Sequence, residues 1–336
     1  MELLQPSKSS YTKASDKAWF TYAQNGNEFQ QGLLGLTDSY IAGSLCLQFP
    51  KDGPLKAKKI EVSITGTEYV RWTEQVLKPR FRDGRMCQEY ETEEYKYEQK
   101  ILDQSLILWK SEKESYEEIT TMDLPFQIQL PKDLPPSMDL EIGKIYYQVK
   151  ANFERKSNFW KLQGSHKSIK CMCLVTRYSP MPEPSPMQWI QWIDQEAWKR
   201  GLGYNISMNH DTFGPANPII VNFAMKILKQ GLKIKEVFVG LKEYREFRAD
   251  NHNKSTRNYI QTVKMSGDQF SEVTDEWAHE FKINVLENEV NWTTSRHHID
   301  VYHCIKIKIK FGLLGPKNVN IKREIKIENI SDVKYY

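Results

Sequence analysis

The 336-residue chain is poor in cysteine, has no long apolar run and carries no one-sided charge, and each shortage removes a class of protein. Its five cysteines, Cys46, Cys87, Cys171, Cys173 and Cys304, are odd in number and scattered, which is no disulfide framework and fits a reducing compartment. No stretch approaches the roughly 18 apolar residues of a membrane-spanning helix. The opening Met-Glu-Leu-Leu-Gln-Pro-Ser lacks the basic region and apolar run of a secretory signal, so a cytoplasmic protein is expected. A net charge of +4 argues against a nucleic-acid partner. Gly-x-Ser-x-Gly, a P-loop, His-Glu-x-x-His and Gly-x-Gly-x-x-Gly are also missing, so no motif points to an enzyme or a cofactor.

What is present is apolar material in short alternating blocks. A content of 40% hydrophobic and 12% aromatic residues supports true cores, and the length suits about two domains. Phe126, Ile128 and Leu130 point one way and Gln127 and Gln129 the other, the period of a half-buried strand. Pro131, Pro135 and Pro136 cannot donate to a ladder, so the chain leaves the sheet there and re-enters at Ile145-Tyr-Tyr-Gln-Val-Lys-Ala-Asn-Phe153. Further strands are expected at 40–47, 59–66, 105–109 and 167–175, then at 204–208, 219–227, 234–241, 279–285, 299–311 and 319–327. The last two read as a hairpin through Gly312-Leu-Leu-Gly-Pro316. Residues 73–104, polar and rich in Glu and Tyr, read as a long excursion from the sheet, partly helical or disordered.

Ser179-Pro-Met-Pro-Glu-Pro-Ser-Pro186 reads as a stiff extended linker. Met187 to Arg200, with Trp189, Ile190, Ile193 and Ala197 on one side, reads as an amphipathic helix of about four turns. These breaks predict a domain over 1–177, a linker with a short helix over 178–200 and a second domain over 201–336. Many short strands with little helix give an all-β fold of two tandem immunoglobulin-like β-sandwiches. The positive charge is concentrated late: residues 1–198 hold 25 Lys and Arg against 27 Asp and Glu, and residues 199–336 hold 22 against 16.

Several ordered landmarks resemble the arrestin superfamily, and within it the α-arrestins or arrestin-related trafficking adaptors. Tyr40-Ile-Ala-Gly-Ser-Leu-Cys-Leu47 is similar to that family's Y-x-x-G strand. Leu55-Lys-Ala-Lys-Lys-Ile-Glu-Val-Ser-Ile-Thr-Gly66 is similar to the strand that follows. Leu124-Pro-Phe-Gln-Ile-Gln-Leu-Pro131 with Leu134-Pro-Pro-Ser137 resembles its proline corner, and Ile145–Ala151 its I-x-Y-x-V-x-A strand. Phe213-Gly-Pro-Ala-Asn-Pro-Ile-Ile-Val-Asn-Phe223 and Val301-Tyr-His-Cys-Ile-Lys-Ile307 resemble parts of its C-terminal domain more loosely. The resemblance implies a cytosolic adaptor recruited to the plasma membrane or endosomes, which engages membrane-protein cargo (receptors or transporters) and promotes its endocytosis through ubiquitin ligase or vesicle machinery. A Pro-Pro-x-Tyr ligase motif is missing, because Pro135-Pro136 is followed by Ser137 and Met138. The alternative is a structural subunit of a retromer-like or vacuolar-sorting coat; a carbohydrate- or nucleic-acid-binding β protein has little support.

Candidate binding residues follow from charge. Lys306, Lys308 and Lys310 alternate with isoleucines and share a face at spacings of about 7 Å, within the reach of joint action on an anionic membrane. Lys322, Arg323 and Lys326 would extend the patch. The competing reading, a solvated face whose lysines discourage edge pairing, is favoured by the commonness of exposed strand lysines. By the resemblance, Lys56, Lys58 and Lys59 would meet phosphates on a cargo tail, against the favoured reading of a basic turn. Glu89, Tyr90, Glu91, Glu93 and Glu94, with Glu98, Tyr95 and Tyr97, form an acidic aromatic loop that would dock basic cargo segments or simply be solvated. His297, His298 and His303 offer two ligands on one strand face at most, short of the four of a structural zinc, so no metal is expected. Trp189, Trp192 and Trp198 would pack between domains rather than enter a membrane interface.

Overall fold

Apolar side chains at every second position need a sheet whose one face is covered, and the computed structural model supplies four such faces in two compact units, Met1–Arg177 and Tyr178–Tyr336. It describes residues 16–23, 28–82, 85–112, 114–156, 166–182, 187–190, 199, 201–215, 217–229, 232–267, 276–312 and 317–331.

The first unit holds β1 (Ala18–Tyr22), β2 (Gln30–Gln31), β3 (Ser39–Gln48), β4 (Leu55–Arg82), β5 (Arg85–Lys110), β6 (Glu117–Ile119), β7 (Thr121–Leu130), β8 (Met138–Asp139), β9 (Gly143–Arg155) and β10 (His166–Cys173). In one sheet β3 pairs with β1, β2 and β7; the other runs β10-β9-β4-β5, with β6 beside β4 and β8 beside β9. Ile41, Leu45 and Leu47 of β3 and Phe126, Ile128 and Leu130 of β7 are buried, as are Ile60, Val62 and Ile64 of β4 and Tyr147, Val149 and Ala151 of β9. Phe20, Phe29 and Phe126 meet mostly edge to face with centroids 6.0–6.5 Å apart, which adds to the area they bury.

The proline corner is fastened rather than free. Tyr147 donates its hydroxyl to the Pro135 carbonyl at 2.6 Å, and the Val175 amide donates to Ser137 Oγ at 2.9 Å while the Ser137 amide donates to the Val175 carbonyl at 2.7 Å. Gln30 satisfies both backbone groups of Thr176, at 2.8 and 2.7 Å. Pro135 and Pro136 are buried there, so their missing N–H groups cost nothing and their rings fill space.

The second unit holds β11 (Ser179–Pro180), β12 (Met187–Ile190), β13 (Leu202–Met208), β14 (Thr212–Phe213), β15 (Ile219–Ile227), β16 (Ile234–Ala249), β17 (His252–Ser266), β18 (Glu276–Ile283), β19 (Thr294–Ser295), β20 (Ile299–Phe311), β21 (Val319–Ile327) and β22 (Ile330–Ser331). One sheet runs β12-β13-β15-β18 and the other β14-β21-β20-β16-β17, with β19 beside β20. Their facing sides bury a core that includes Val221, Phe223, Phe281, Val239, Ile305 and Ile307. No helix among the described residues is long and apolar enough to cross a membrane.

Three expectations need correction. Residues 73–82 and 85–104 are neither helical nor disordered: they belong to β4 and β5, an antiparallel hairpin paired from Lys59↔Lys110 to Arg82↔Arg85 with register shifts at Ile60/Glu61 and Gly66/Thr67. Met187–Ile190 is a strand paired with β13, not the start of a helix; of the remainder to Arg200 only Lys199, in a helical turn, is described. Ser179–Pro180 is not a spacer between units, since it pairs in parallel with Ile330–Ser331 inside the second. The strand β17 and the second half of β16 went unread because charged and polar residues interrupt their apolar alternation, although Phe247 and Ala249 are buried and Val263 and Met265 pack against the core.

Gly66 on β4 stands where any side chain would strike Tyr147, a Cβ falling 2.6 Å from the ring and 3.1 Å from Leu102 Cβ. Gly66→Ala should therefore destabilise the first unit by about 1–3 kcal/mol through overpacking, read as a lower urea midpoint. Tyr147→Phe, which strands the Pro135 carbonyl, should lose about 1–2 kcal/mol without changing the m-value.

Candidate functional site

The pleat of β20 sends Tyr302, Cys304, Lys306, Lys308 and Lys310 outward and Ile305, Ile307 and Ile309 into the core. Cross-strand register builds the outer surface. Lys306 stands opposite Lys322 of β21 and Gly240 of β16; Lys308 stands opposite Phe238, itself opposite Lys264 of β17. Cys304 lies beside Lys242, and Tyr302 beside Tyr244. The face is a bed of aromatic rings carrying cations. Tyr244 and Tyr302 stack at 4.9 Å with parallel planes, and Phe238 meets Tyr259 edge-on at 5.3 Å above Gly240. Lys242 lies 4.9 Å from the Tyr259 centroid and 5.2 Å from that of Tyr244, and Lys322 lies 4.8 Å from Tyr244 and 5.3 Å from Tyr302. Such contacts fix ammonium groups without neutralising them. Burial, with Glu246 beside it, pushes the Tyr302 phenol up to about 12, so the ring adds no negative charge near neutral pH.

The six cations expected here do not all join. Lys306, Lys308, Lys322 and Lys326 share the outer side by alternation, and Lys310 is tied to Glu236 at 2.7 Å. Arg323, beside the outward Lys322, turns to the inner side opposite Ile305. Lys242 and Lys264 were missed: the strand carrying Lys242 was read only to Leu241 and β17, which carries Lys264, was not read, so only the pairing of β16 with β17 and β20 reveals them.

At the entrance to β4, Lys56 pairs with Glu118 at 2.7 Å and Lys59 with Glu61 at 2.5 Å. That leaves Lys58, partly buried, as the member of the trio without an ion pair among the described residues. The acidic set is divided as well. Glu89, Glu91 and Glu93 occupy one side of β5 and face a cationic row: Arg82 lies 3.3 Å from Glu89, Arg80 contacts Glu91, and Lys78 contacts Glu93. Tyr90 and Glu94 lie on the other side, where Glu94 contacts Arg71. These residues are a strand, not a loop, and much of the acidic charge is matched within the hairpin.

The histidines separate too. His298 Nδ1 meets the Arg248 carbonyl at 2.8 Å, and His303 belongs to a buried network. Among the described residues no group of three or more His, Cys, Asp and Glu is placed to hold a metal. In the network, His303 Nε2 lies 3.2 Å from Glu243 and Nδ1 lies 3.0 Å from Thr293 Oγ1. Asn291 donates both its amide and its side chain to Glu243 at 3.0–3.2 Å, and Arg245 adds a contact at 2.5 Å. The Thr–His–Glu order has the connectivity of a nucleophile relay. Its setting is structural: His303 is 0% and Glu243 1% exposed, and Thr293 Oγ1 accepts the Ile327 amide at 2.8 Å. It pins the segment before β19 to the centre of the sheet. On the outer side of β13, β15 and β18, Asn205, Ser207, Asn222, Ala224, Ala278 and Glu280 line a shallow depression of about 280 Å³.

Comparison with known families gives two matches. The description "Arrestin (or S-antigen), N-terminal domain" covers residues 36–177, and "Arrestin (or S-antigen), C-terminal domain" covers residues 198–329. No curated protein matches the chain.

Burial acts to raise the Glu243 carboxyl, yet hydrogen bonds from His303 and Asn291 and the charge of Arg245 prevail and hold it down from 4.5 to about 2. A depressed carboxylate adds stability that is complete above its unfolded value and lost as pH falls toward its folded one. Unfolding free energy of the second unit should therefore drop between about pH 5 and 2, by on the order of 3 kcal/mol from this group. Glu243→Gln should be less stable at pH 7 and show a flatter acid profile in urea titrations.

Proposed function

The chain belongs to the arrestin family, and on that premise we propose that it is a cytosolic adaptor gripping cytoplasmic segments of membrane-protein cargo, receptors or transporters, and promoting their endocytosis or sorting. The observation that carries this reading is the presence of both family domains, in order, on one chain. The sheets offer gripping surfaces of two kinds: β5, β10 and β18, which among the described residues are edge strands and can accept an extended segment, and the shallow depression over β13, β15 and β18. The Lys56, Lys58 and Lys59 entrance is the site offered to cargo phosphates, with Lys58 the member able to give its charge without breaking an ion pair. The hairpin carrying Glu89, Tyr90, Glu91, Glu93 and Glu94 is the site offered to basic cargo segments.

The aromatic-bedded face with Lys306, Lys308, Lys322 and Lys326, supplemented by Lys264 and underlain by the buried Lys242, is the part we assign to anionic headgroups. Ubiquitin-ligase recruitment would need a surface other than Pro135-Pro136, which the corner buries.

Crosslinking of the tagged full chain in cells, followed by identification of its neighbours, should recover membrane proteins through their cytoplasmic segments. Recovery of no membrane protein and no vesicle or ubiquitin machinery would sink the reading, and a stable stoichiometric assembly on native size exclusion would favour a coat subunit instead. Lys306→Ser, Lys308→Ser and Lys322→Ser together should weaken binding to phosphatidylserine vesicles at low salt, by about fivefold per lysine. That difference should fade at high salt.

A further inference from the structure

The hairpin of β4 and β5 changes character along its length. From Ile60 to Trp72 the buried apolar side chains of β4 are the even-numbered ones: Ile60, Val62, Ile64, Val70 and Trp72. Pairing of β4 with β9 ends at Val70↔Gly143, and the Arg71 amide makes a last bond to the Ile142 carbonyl. Beyond, from Thr73 to Arg82, β4 pairs with β5 alone, a two-stranded ribbon of ten residues or about 34 Å.

On that ribbon the apolar set moves to the odd side. Leu77, Pro79 and Phe81 of β4 stand opposite Tyr90, Gln88 and Met86 of β5. No bulge intervenes, since the irregularities of this pair fall at Ile60/Glu61 and Gly66/Thr67. The distal apolar side is thus the reverse of the side carrying Val70 and Trp72. Its side chains face solvent: Phe81 is 74% exposed, Met86 73%, Tyr90 71% and Leu77 43%. The even side is a ladder of ion pairs joining Lys78, Arg80 and Arg82 to Glu89, Glu91 and Glu93.

Charge is graded along the ribbon as well. Residues 79–88 carry Arg80, Arg82 and Arg85 against Asp83, whereas 73–78 and 89–94 carry Lys78 against Glu74, Glu89, Glu91, Glu93 and Glu94. The end is cationic and the stem acidic. We propose that this end is a lipid anchor, which enters the interface of an anionic bilayer with Phe81 and Met86 foremost and Tyr90 at headgroup level.

Two physical features select lipid over a protein groove. Cations at the tip and anions behind it orient the ribbon end-on to a negative surface. Tyrosine behind a wholly apolar pair matches the polarity gradient of a membrane interface. Depth is limited too: from Thr73 to Arg82 the outer backbone groups of both ribbon strands have no neighbouring strand among the described residues, so they must stay in the hydrated headgroup layer rather than the hydrocarbon. This site is separate from the lysine face of the second unit and does not depend on any cargo.

The test is flotation of the full chain with protein-free phosphatidylcholine vesicles, with and without phosphatidylserine, at low salt and in about 0.5 M salt, where screening suppresses purely ionic contacts. The wild-type chain should bind anionic vesicles and keep a salt-resistant fraction. Phe81→Ser with Met86→Ser should lower that fraction by about tenfold or more, with circular dichroism and melting unchanged because both side chains are solvent-facing. The variant with Lys306, Lys308 and Lys322 replaced by Ser should keep the salt-resistant fraction and lose part of the salt-sensitive one. A double variant that partitions like wild type, or a wild-type chain without a salt-resistant fraction, overturns the proposal. Loss of cargo capture with vesicle binding intact would also overturn it and assign the end to a protein partner. Because the vesicles contain no protein, a negative result here leaves the adaptor reading to its own crosslinking test.

Discussion

The pleat governs this molecule. A strand gives each side chain one of two sides, and every functional surface described above is what remains on the side the core does not use. On β20 the isoleucines take the inside, so the lysines between them are forced outward into one row. On β4 the same rule holds until the sheet partner β9 stops at Val70. Past Trp72 neither side of β4 is covered, and the sequence is free to place apolar residues on one and ion pairs on the other.

Polar groups inside the second sandwich show the complementary constraint. Glu243 and His303 sit on inward positions of β16 and β20, where a lone charge would be costly. They persist because Asn291, Arg245 and Thr293 complete their hydrogen bonds. The network thereby gives a segment without regular structure, from Leu286 to Thr293, a fixed position on the sheet. A hydrophobic pair of equal volume would fill the space without specifying where that segment lies.

Legibility in the sequence tracked burial. Ile219–Ile227, Ile299–Phe311 and Val319–Ile327 were read to the residue because their alternation is that of strands covered on one side. The corner at Leu124–Ser137 was legible because proline excludes a ladder wherever it stands. By contrast, Thr73–Gln104 carries charges and aromatics on both sides, and the single-strand pattern resembles a solvated segment. Its strand nature lies in cross-strand partners such as Arg80 with Glu91, which no local window contains. The basic face was half legible for the same reason: the lysines of β20 show their alternation, whereas Lys242 and Lys264 join them only through register, and Arg323 departs from them only through parity.

The hairpin also bears on how the first unit reaches its fold. Closing β4 against β5 requires only the short connection between Arg82 and Arg85, whereas β3 must find β7 across the span from Gln48 to Thr121 and β4 must find β9 from Val70 to Gly143. Loop-closure entropy grows with span, so the hairpin is the cheapest long pairing available and can zip on the microsecond scale of such elements. Once zipped, the buried half of β4 already has its register fixed and serves as a template for β9. The exposed end of the ribbon is thus also the place where the ordering of the first sandwich can begin.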